Sequence, residues 1–319
     1  MVTRLRSALV TGATGFIGSA LVRRLLAKDV RVFCLVRSSG TDHSRLQALA
    51  GSEVLEVRSF QVDELRQALM GVSADVVFHL AAYGVPADAH DPQAMLDGNV
   101  NLIAYLLLAT ADWPLRRFVH TGSCSEYGGP SGWEPLIEDH PIRPISLYGA
   151  AKAASVLYGN ALAARLRIPF VTLRLFGVYG VGEGPNRLIP YIINRLECNE
   201  PVDLTPGEQV RDFLYVEDVV EAFLAAANPS HLECYHVYNV CSGIPTRVRD
   251  VGEAVARAMR KDPDLLQWGQ RAYRPGEPMW MVGNGSRFVD ATGWRPAVSL
   301  TDGIHRMLAA LAGGDTGNG

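Results

Sequence analysis

The sequence predicts an α/β protein: a doubly wound parallel sheet with helices on both faces, followed by a smaller mixed α/β lobe. Three observations predict it. Short β-rich runs alternate with helical stretches, a glycine-spaced loop joins the first run to the first helix, and the rhythm breaks near Gly177. Alternation of this kind makes the strands parallel, because each one returns through a helix packed on the sheet.

Taken in order, the strand-like runs are Ala8–Thr11, Val30–Arg37, Val54–Val57, Asp75–Ala81, Arg117–Gly122 and Phe170–Leu175. Helical segments lie between them, near 16–28, 63–70, 93–111 and 146–166. Leu21, Val22, Leu25 and Leu26 give the first helix one apolar face. After Phe176, Gly180, Gly182, Gly184, Pro185, Pro190, Pro201, Pro206 and Gly207 keep the elements short. The expected division is therefore 1–175 and 176–312, with segments exchanged between the two, and a Gly-rich flexible tail over 313–319. The stretches 102–111 and 150–166 are apolar on nearly every face, so each needs a partner besides its own sheet. Burial within one chain would satisfy them; a homodimer helix bundle through 99–111 and 146–166 is the preferred reading.

Composition narrows the class. The 319 residues are 48% hydrophobic, and 30 Lys+Arg against 33 Asp+Glu leave a net charge of −3. That balance argues against electrostatic capture of nucleic acid or an anionic membrane. The longest apolar candidate, Leu102 to Ala111, is about half the roughly 20 residues a membrane helix needs. The N-terminal apolar stretch breaks at Thr11-Gly12-Ala13-Thr14-Gly15, too early for an export signal. Cys34, Cys124, Cys198, Cys234 and Cys241 are scattered without CxxC spacing, so neither a disulfide framework nor a metal site is expected. The expected compartment is the cytoplasm.

Thr11-Gly12-Ala13-Thr14-Gly15-Phe16-Ile17-Gly18 follows the first strand and opens a helix. Without side chains at 12, 15 and 18 the backbone can turn tightly and approach a pyrophosphate, which the helix N-terminus attracts. This spacing in this context predicts dinucleotide binding by Gly12, Thr14, Gly15, Phe16, Ile17 and Gly18. An acidic residue at the end of the second strand would favour NAD. Val36 or Arg37 stands there instead, and Arg37 helped by Ser38 can pair with a 2′-phosphate, so NADP is favoured over NAD. An exposed surface arginine is the alternative reading of Arg37.

Tyr148-Gly149-Ala150-Ala151-Lys152 places a phenol and an ammonium on one helix face. A close positive charge lowers the phenol's pKa from its usual ~10, which makes it usable as an acid or base near neutrality. Ser123 ends a strand, where ligand groups of such sheets belong.

Gly12/Gly15/Gly18, Phe78-His79-Leu80-Ala81-Ala82, Asn99, Ser123 before Tyr127-Gly128, Tyr148-xxx-Lys152 and the segment Arg211 to Val219 together resemble an extended short-chain dehydrogenase/reductase. The likeness is to its nucleotide-sugar epimerase/dehydratase/reductase branch and covers about residues 7 to 310. It implies a Rossmann-type first domain and a substrate-binding second lobe. It also implies cofactor contacts from Leu80, Ala81, Ala82, Asn99, Tyr148 and Lys152. By the same resemblance Ser123 hydrogen-bonds the sugar's C4 oxygen, Tyr148 exchanges the proton, and Lys152 holds the nicotinamide ribose and tunes Tyr148. His79 reads as packed at a strand end. Arg211 and Arg274 match arginines that grip a nucleotide diphosphate; Asn186, Arg187 and Arg195 lie near them as further candidates, with solvated surface arginines the alternative.

The branch's 4,6-dehydratases need carboxyl groups just after the equivalent of Ser123. Cys124 and Ser125 stand there instead, still candidates for substrate contact but unable to act as that acid–base pair. Glu126 falls one position later, on the opposite side of an extended backbone. Cys124 reads as a small packing residue, since no His is placed to activate it. Two reactions survive: NADPH-dependent reduction of the C4 ketone of a nucleotide-diphosphate 4-keto-6-deoxyhexose, and NAD-dependent 4-epimerisation. The missing acidic residue after strand two favours the reductase, as does the Leu204–Phe213 stretch, which resembles reductases of nucleotide-diphosphate 4-keto-6-deoxyhexoses. A non-catalytic NADP-binding regulator is the rival outside the enzymes.

Overall fold

A computed structural model describes residues 4–38, 51–84, 91–129 and 132–314. Its centre is a Rossmann-type sheet built from β1 (Ser7–Thr11), β2 (Arg31–Arg37), β3 (Glu53–Val57), β4 (Val76–His79), β5 (Arg117–Ser123) and β6 (Phe170–Leu175), with Val237–Val240 beyond β6. All neighbours run parallel, in the order β3-β2-β1-β4-β5-β6 and then the seventh strand. The order reverses between β1 and β4, and the crevice beyond the strand ends at such a reversal is where this architecture takes its ligand. Buried Val, Leu and Phe side chains cover both faces of the sheet in two separate cores.

After Phe176 the chain makes small sheets: Gly177–Tyr179 with Phe213–Tyr215, Val202–Leu204 with Leu266–Trp268, and Val210–Arg211 between Thr246–Arg247 and Trp280–Met281. A third core around Ile189, Ile192, Leu196, Val251 and Ile304 holds this lobe together. The helix Val216–Ala226 instead contributes Val219, Val220 and Phe223 to the core of the large sheet. Phe16 and Ile17, on the first helix (Phe16–Leu26), pack against the third core, so the glycine loop lies where the two lobes meet.

Some boundaries differ from those read in the sequence. β4 stops at His79, not Ala81, because Leu80 and Ala81 turn to run past the first strand. There the Leu80 N–H donates to the Thr11 carbonyl and the Ala81 N–H to the Thr11 hydroxyl, each at 3.2 Å. The helix expected over 93–111 is Pro92–Met95, a π-helical turn at Leu96–Asn101, and Leu102–Ala109. Gly98, in that turn, lies against Tyr83, where a Cβ would come within 2.6 Å. Gly313 and Gly314, expected to begin a frayed tail, close the last helix, Leu300–Gly314; residues 315–319 of that expectation lie outside the described residues. Among the described residues no helix is long and apolar enough to cross a membrane.

Candidate active site

Three glycines shape the loop after β1. Gly12 has φ +70°, and a Cβ on it would stand 2.7 Å from the Ala81 nitrogen. A Cβ on Gly18 would collide with the Gly12 carbonyl oxygen, and one on Gly15 would come to 3.1 Å from it. Gly15 is the N-cap of the first helix, no side chain caps that end, and its first turn carries no acidic residue. The positive helix end and its free N–H groups are thus left for an anion, and the close backbone passage needs all three glycines. This cradle fits a dinucleotide pyrophosphate. Thr14, Phe16 and Ile17 are half-buried around it, and Leu80, Ala81 and Ala82 pass on its other side. Asn99 is buried and anchors that passage: its amide donates to the Tyr83 carbonyl at 3.0 Å and the Met95 carbonyl at 2.8 Å, leaving Oδ1 without a hydrogen bond.

Arg37 and Ser38 are both exposed at the end of β2. Ser38's hydroxyl donates to the Val57 carbonyl at 3.3 Å, and the exposed Arg37 guanidinium lies 5.9 Å from the centre of the Phe60 ring.

Ser123, Tyr148 and Lys152 converge at the edge between β5 and the helix Leu147–Leu166. Ser146 caps that helix by accepting the Gly149 N–H at 3.0 Å. Gly149 has no side chain because a Cβ would strike the Ser125 carbonyl, so the helix start lies directly on the turn after β5. Tyr148 is half-buried, and the Ser123 side chain favours its ionised form. Burial pushes its phenol up to about 12, with the Arg187 charge pulling the other way. Lys152 is 2% exposed, and burial pulls its ammonium down to about 8 against the opposing pull of Glu126. Without a dinucleotide, desolvation is the larger effect on the phenol and raises it; the expected lowering calls on Lys152 together with the positive charge of an oxidised nicotinamide.

The backbone after Ser123 is not extended as expected. Cys124–Glu126 is a 3-10 turn in which Ser123 is the cap, and Glu126 folds back to accept the Ser123 N–H at 2.7 Å. Burial pushes the Cys124 thiol up to about 12, so it stays protonated, and Ser125 donates its N–H to the Ser123 hydroxyl at 3.2 Å. His79 is buried, with Nδ1 2.7 Å from the Thr11 hydroxyl, and burial holds it neutral, down to about 3.

Asn186, Arg187, Arg211 and Arg274 line one cavity of about 730 Å³ in the second lobe. Arg187 bears electrostatically on Tyr148, which ties this cavity to the Ser–Tyr–Lys edge. Asp212 fixes the strand that carries Arg211, accepting the N–H and hydroxyl of Ser242 at 2.7 and 2.8 Å and the Gly243 N–H at 2.8 Å. Arg195 is not part of the cavity: at the far end of its helix it bonds the Pro201 carbonyl and pairs with Glu200. Two cavity residues were missed in the sequence reading. Glu277 accepts from Arg211 at 2.5 Å, and Arg271 donates to the Tyr191 hydroxyl at 2.8 Å. The only sequence signal for them is their place beside Arg274.

The model of the NAD dependent epimerase/dehydratase family matches residues 8–241. A UDP-glucose 4-epimerase of Mycolicibacterium smegmatis is 32% identical over 94% of this chain and 96% of its own. Among solved structures, the UDP-glucuronic acid 4-epimerase of Bacillus cereus, in complex with UDP-glucuronic acid and NAD, is 26% identical with a TM-score of 0.84, covering 96% of this chain and 99% of that one. MoeE5, in complex with the same two ligands, is 29% identical with a TM-score of 0.83, over 97% of this chain and 99% of that one. These findings overturn the expected NADPH-dependent ketone reduction. Both of these solved structures hold NAD, and two of the three relatives are 4-epimerases. With NAD in these relatives, the lack of an acidic residue at 36–37 no longer supports the expected NADP.

Proposed function

The chain belongs to the NAD dependent epimerase/dehydratase family, and within it we propose a nucleotide-sugar 4-epimerase that works with NAD. The observation that carries this reading is that the start of the helix bearing Tyr148 and Lys152 packs directly on the turn that begins at Ser123, in a fold whose second lobe holds an arginine-lined cavity. Similarity to two 4-epimerases of UDP-sugars supports it. Against dehydration stands the turn after Ser123, which offers a protonated thiol and a hydroxyl where paired carboxyl groups would be needed.

The loop Gly12–Gly18, with Leu80–Ala82, Asn99 and Lys152, would hold NAD, and Arg37 would lie beside its adenosine end. NAD, when bound, supplies reversible hydride acceptance from C4 of the sugar. The positive charge of the oxidised nicotinamide, with that of Lys152, would bring the phenol down from the raised value it has without the dinucleotide, so that Tyr148 as phenolate takes the proton of the C4 hydroxyl as that carbon is oxidised and returns it afterwards. The Ser123 side chain favours that phenolate. Arg187, Arg211 and Arg274 grip the diphosphate, since guanidinium groups bind phosphate bidentately. The sugar, tethered only through that diphosphate, has room in the cavity to present its other face. On this reading residues 1–175 serve mainly the dinucleotide and 176–312 mainly the sugar nucleotide, with segments interleaved. The assembly is a homodimer through helices 99–111 and 146–166, on which Leu147, Leu157 and Tyr158 are exposed.

Purified protein given UDP-glucose without added dinucleotide should interconvert it with its C4 epimer, with no net reduced nicotinamide. Tyr148→Phe should lower kcat by about 100-fold or more. Net loss of water from the sugar, or stoichiometric reduced cofactor, would overturn the reading.

A further inference from the structure

Beneath Ser123 lies a buried ion pair that the chemistry above does not use. Glu126 has no exposed surface and Arg174 is 3% exposed. Glu126 Oε2 accepts from Arg174 Nε at 3.0 Å and from its terminal nitrogen at 2.8 Å, while Oε1 accepts the Ser123 N–H at 2.7 Å. The local sequence makes room for this. A Cβ on Gly122 would stand 2.7 Å from Oε1, and Gly122 faces Arg174 in the register of β5 and β6. Arg174 lies 4.4 Å over the Tyr127 ring, whose hydroxyl donates to Asn239 at 2.8 Å.

An ion pair this deeply buried adds little net stability, because desolvation offsets most of its attraction. What it does have is reach into the site. We propose that Glu126 is a positioning residue for the epimerase reaction proposed above: it fixes Ser123 through its backbone N–H, and its charge sets the electrostatics of the Tyr148–Lys152 face. The charged and titratable groups that act on or are acted on by Lys152 are His120 from β5, His79 from β4 and Glu126 from the turn; Tyr148, one turn before it on the helix, is acted on by Ser123, Cys124, Glu126 and Arg187. Burial keeps both imidazoles neutral, so Glu126 is the facing group that carries a charge favouring the ammonium at neutral pH.

Glu126→Gln keeps the shape and removes the charge. With UDP-glucose as substrate, KM should stay within about twofold and kcat should fall about tenfold. The alkaline limb of the kcat profile should move to lower pH by about half a unit or more, as Lys152 loses its proton sooner. Should the single variant fail to fold around an unpaired Arg174, Glu126→Gln with Arg174→Met removes both charges and should show the same split. Folded variants with wild-type kcat and an unmoved limb would overturn the proposal. So would a raised KM at unchanged kcat, or a double variant that cannot fold, since the pair would then serve binding or structure alone. Tyr148→Phe separates the two readings. If it stays active, the epimerase reading has failed; if it is inactive while the Glu126 variants behave as wild type, only the present inference has.

Discussion

Tyr148 and Lys152 are displaced in opposite directions by one cause. Burial disfavours whichever form is charged, so the phenol rises to about 12 and the ammonium falls to about 8. A cation at Lys152 is useful to the chemistry and costly to the fold. Its folded pKa lies below the unfolded value, so the unfolded chain binds the extra proton between about pH 8 and 10.5 and stability rises with pH across that window. The contribution is complete above about 10.5 and lost as pH falls through about 8. Lys152→Met, in protein stripped of nucleotide, should therefore be more stable than wild type at pH ~7, on the order of 1–3 kcal/mol, with the gap closing toward pH ~10. Urea titrations at the two pH values check this. A variant that is less stable at both, or a gap that does not depend on pH, would show that the buried charge is not what the fold is carrying.

At the scale of elements, the glycine loop works because three absent side chains let the strand end, the helix start and the Leu80–Ala82 passage share one small space. Gly18→Ala puts a Cβ into the Gly12 carbonyl, a backbone atom that cannot swing aside. It should weaken NAD binding by about tenfold or more while leaving the far-UV helix signal in place. Gly129→Ala, with nothing within 4 Å, should bind as wild type. Calorimetric titration of NAD into stripped protein measures both, and equal affinities would refute the steric account. This loop was legible in the sequence because its information is local: spacing, a preceding strand and a following helix. Tyr148 and Lys152 were legible for the same reason, being one turn apart. What was not legible depends on partners far along the chain. The curl of Glu126 needs Arg174, 48 residues on; the early end of β4 needs Thr11; and the Ser38 hydroxyl meets the Val57 carbonyl, 19 residues away. Arg37 could be placed at a strand end, but no local pattern says that its guanidinium lies over Phe60. The extended reading of 124–126 failed because a cap and its carboxylate three residues later also spell a turn, and the turn prevails when the carboxylate has a buried arginine to meet.

For the whole molecule, the helix Leu147–Leu166 has two sides with different work. Tyr148 and Lys152 face the site, and Ser155 on the same side accepts from or donates to His120 at 3.1 Å on β5. Leu157, nine residues from Tyr148 and so about 180° around the helix, is 68% exposed, with Tyr158 beside it at 54%. An apolar patch on the back of the catalytic helix ties assembly to chemistry, because a second copy packed there would brace the segment that places the phenol. At roughly 25 cal/mol per Å², covering such side chains contributes usefully only when a whole face of about 800 Å² per partner comes with them. Light scattering at micromolar concentration should give twice the 34.7 kDa of one chain. Leu157→Arg with Tyr158→Glu should give single chains that still bind NAD, since the glycine loop is untouched, but with kcat reduced about fivefold or more as the helix loses its brace. A wild-type protein that runs as one chain would remove the dimer, and a dissociated variant with full kcat would keep the dimer and remove its link to catalysis.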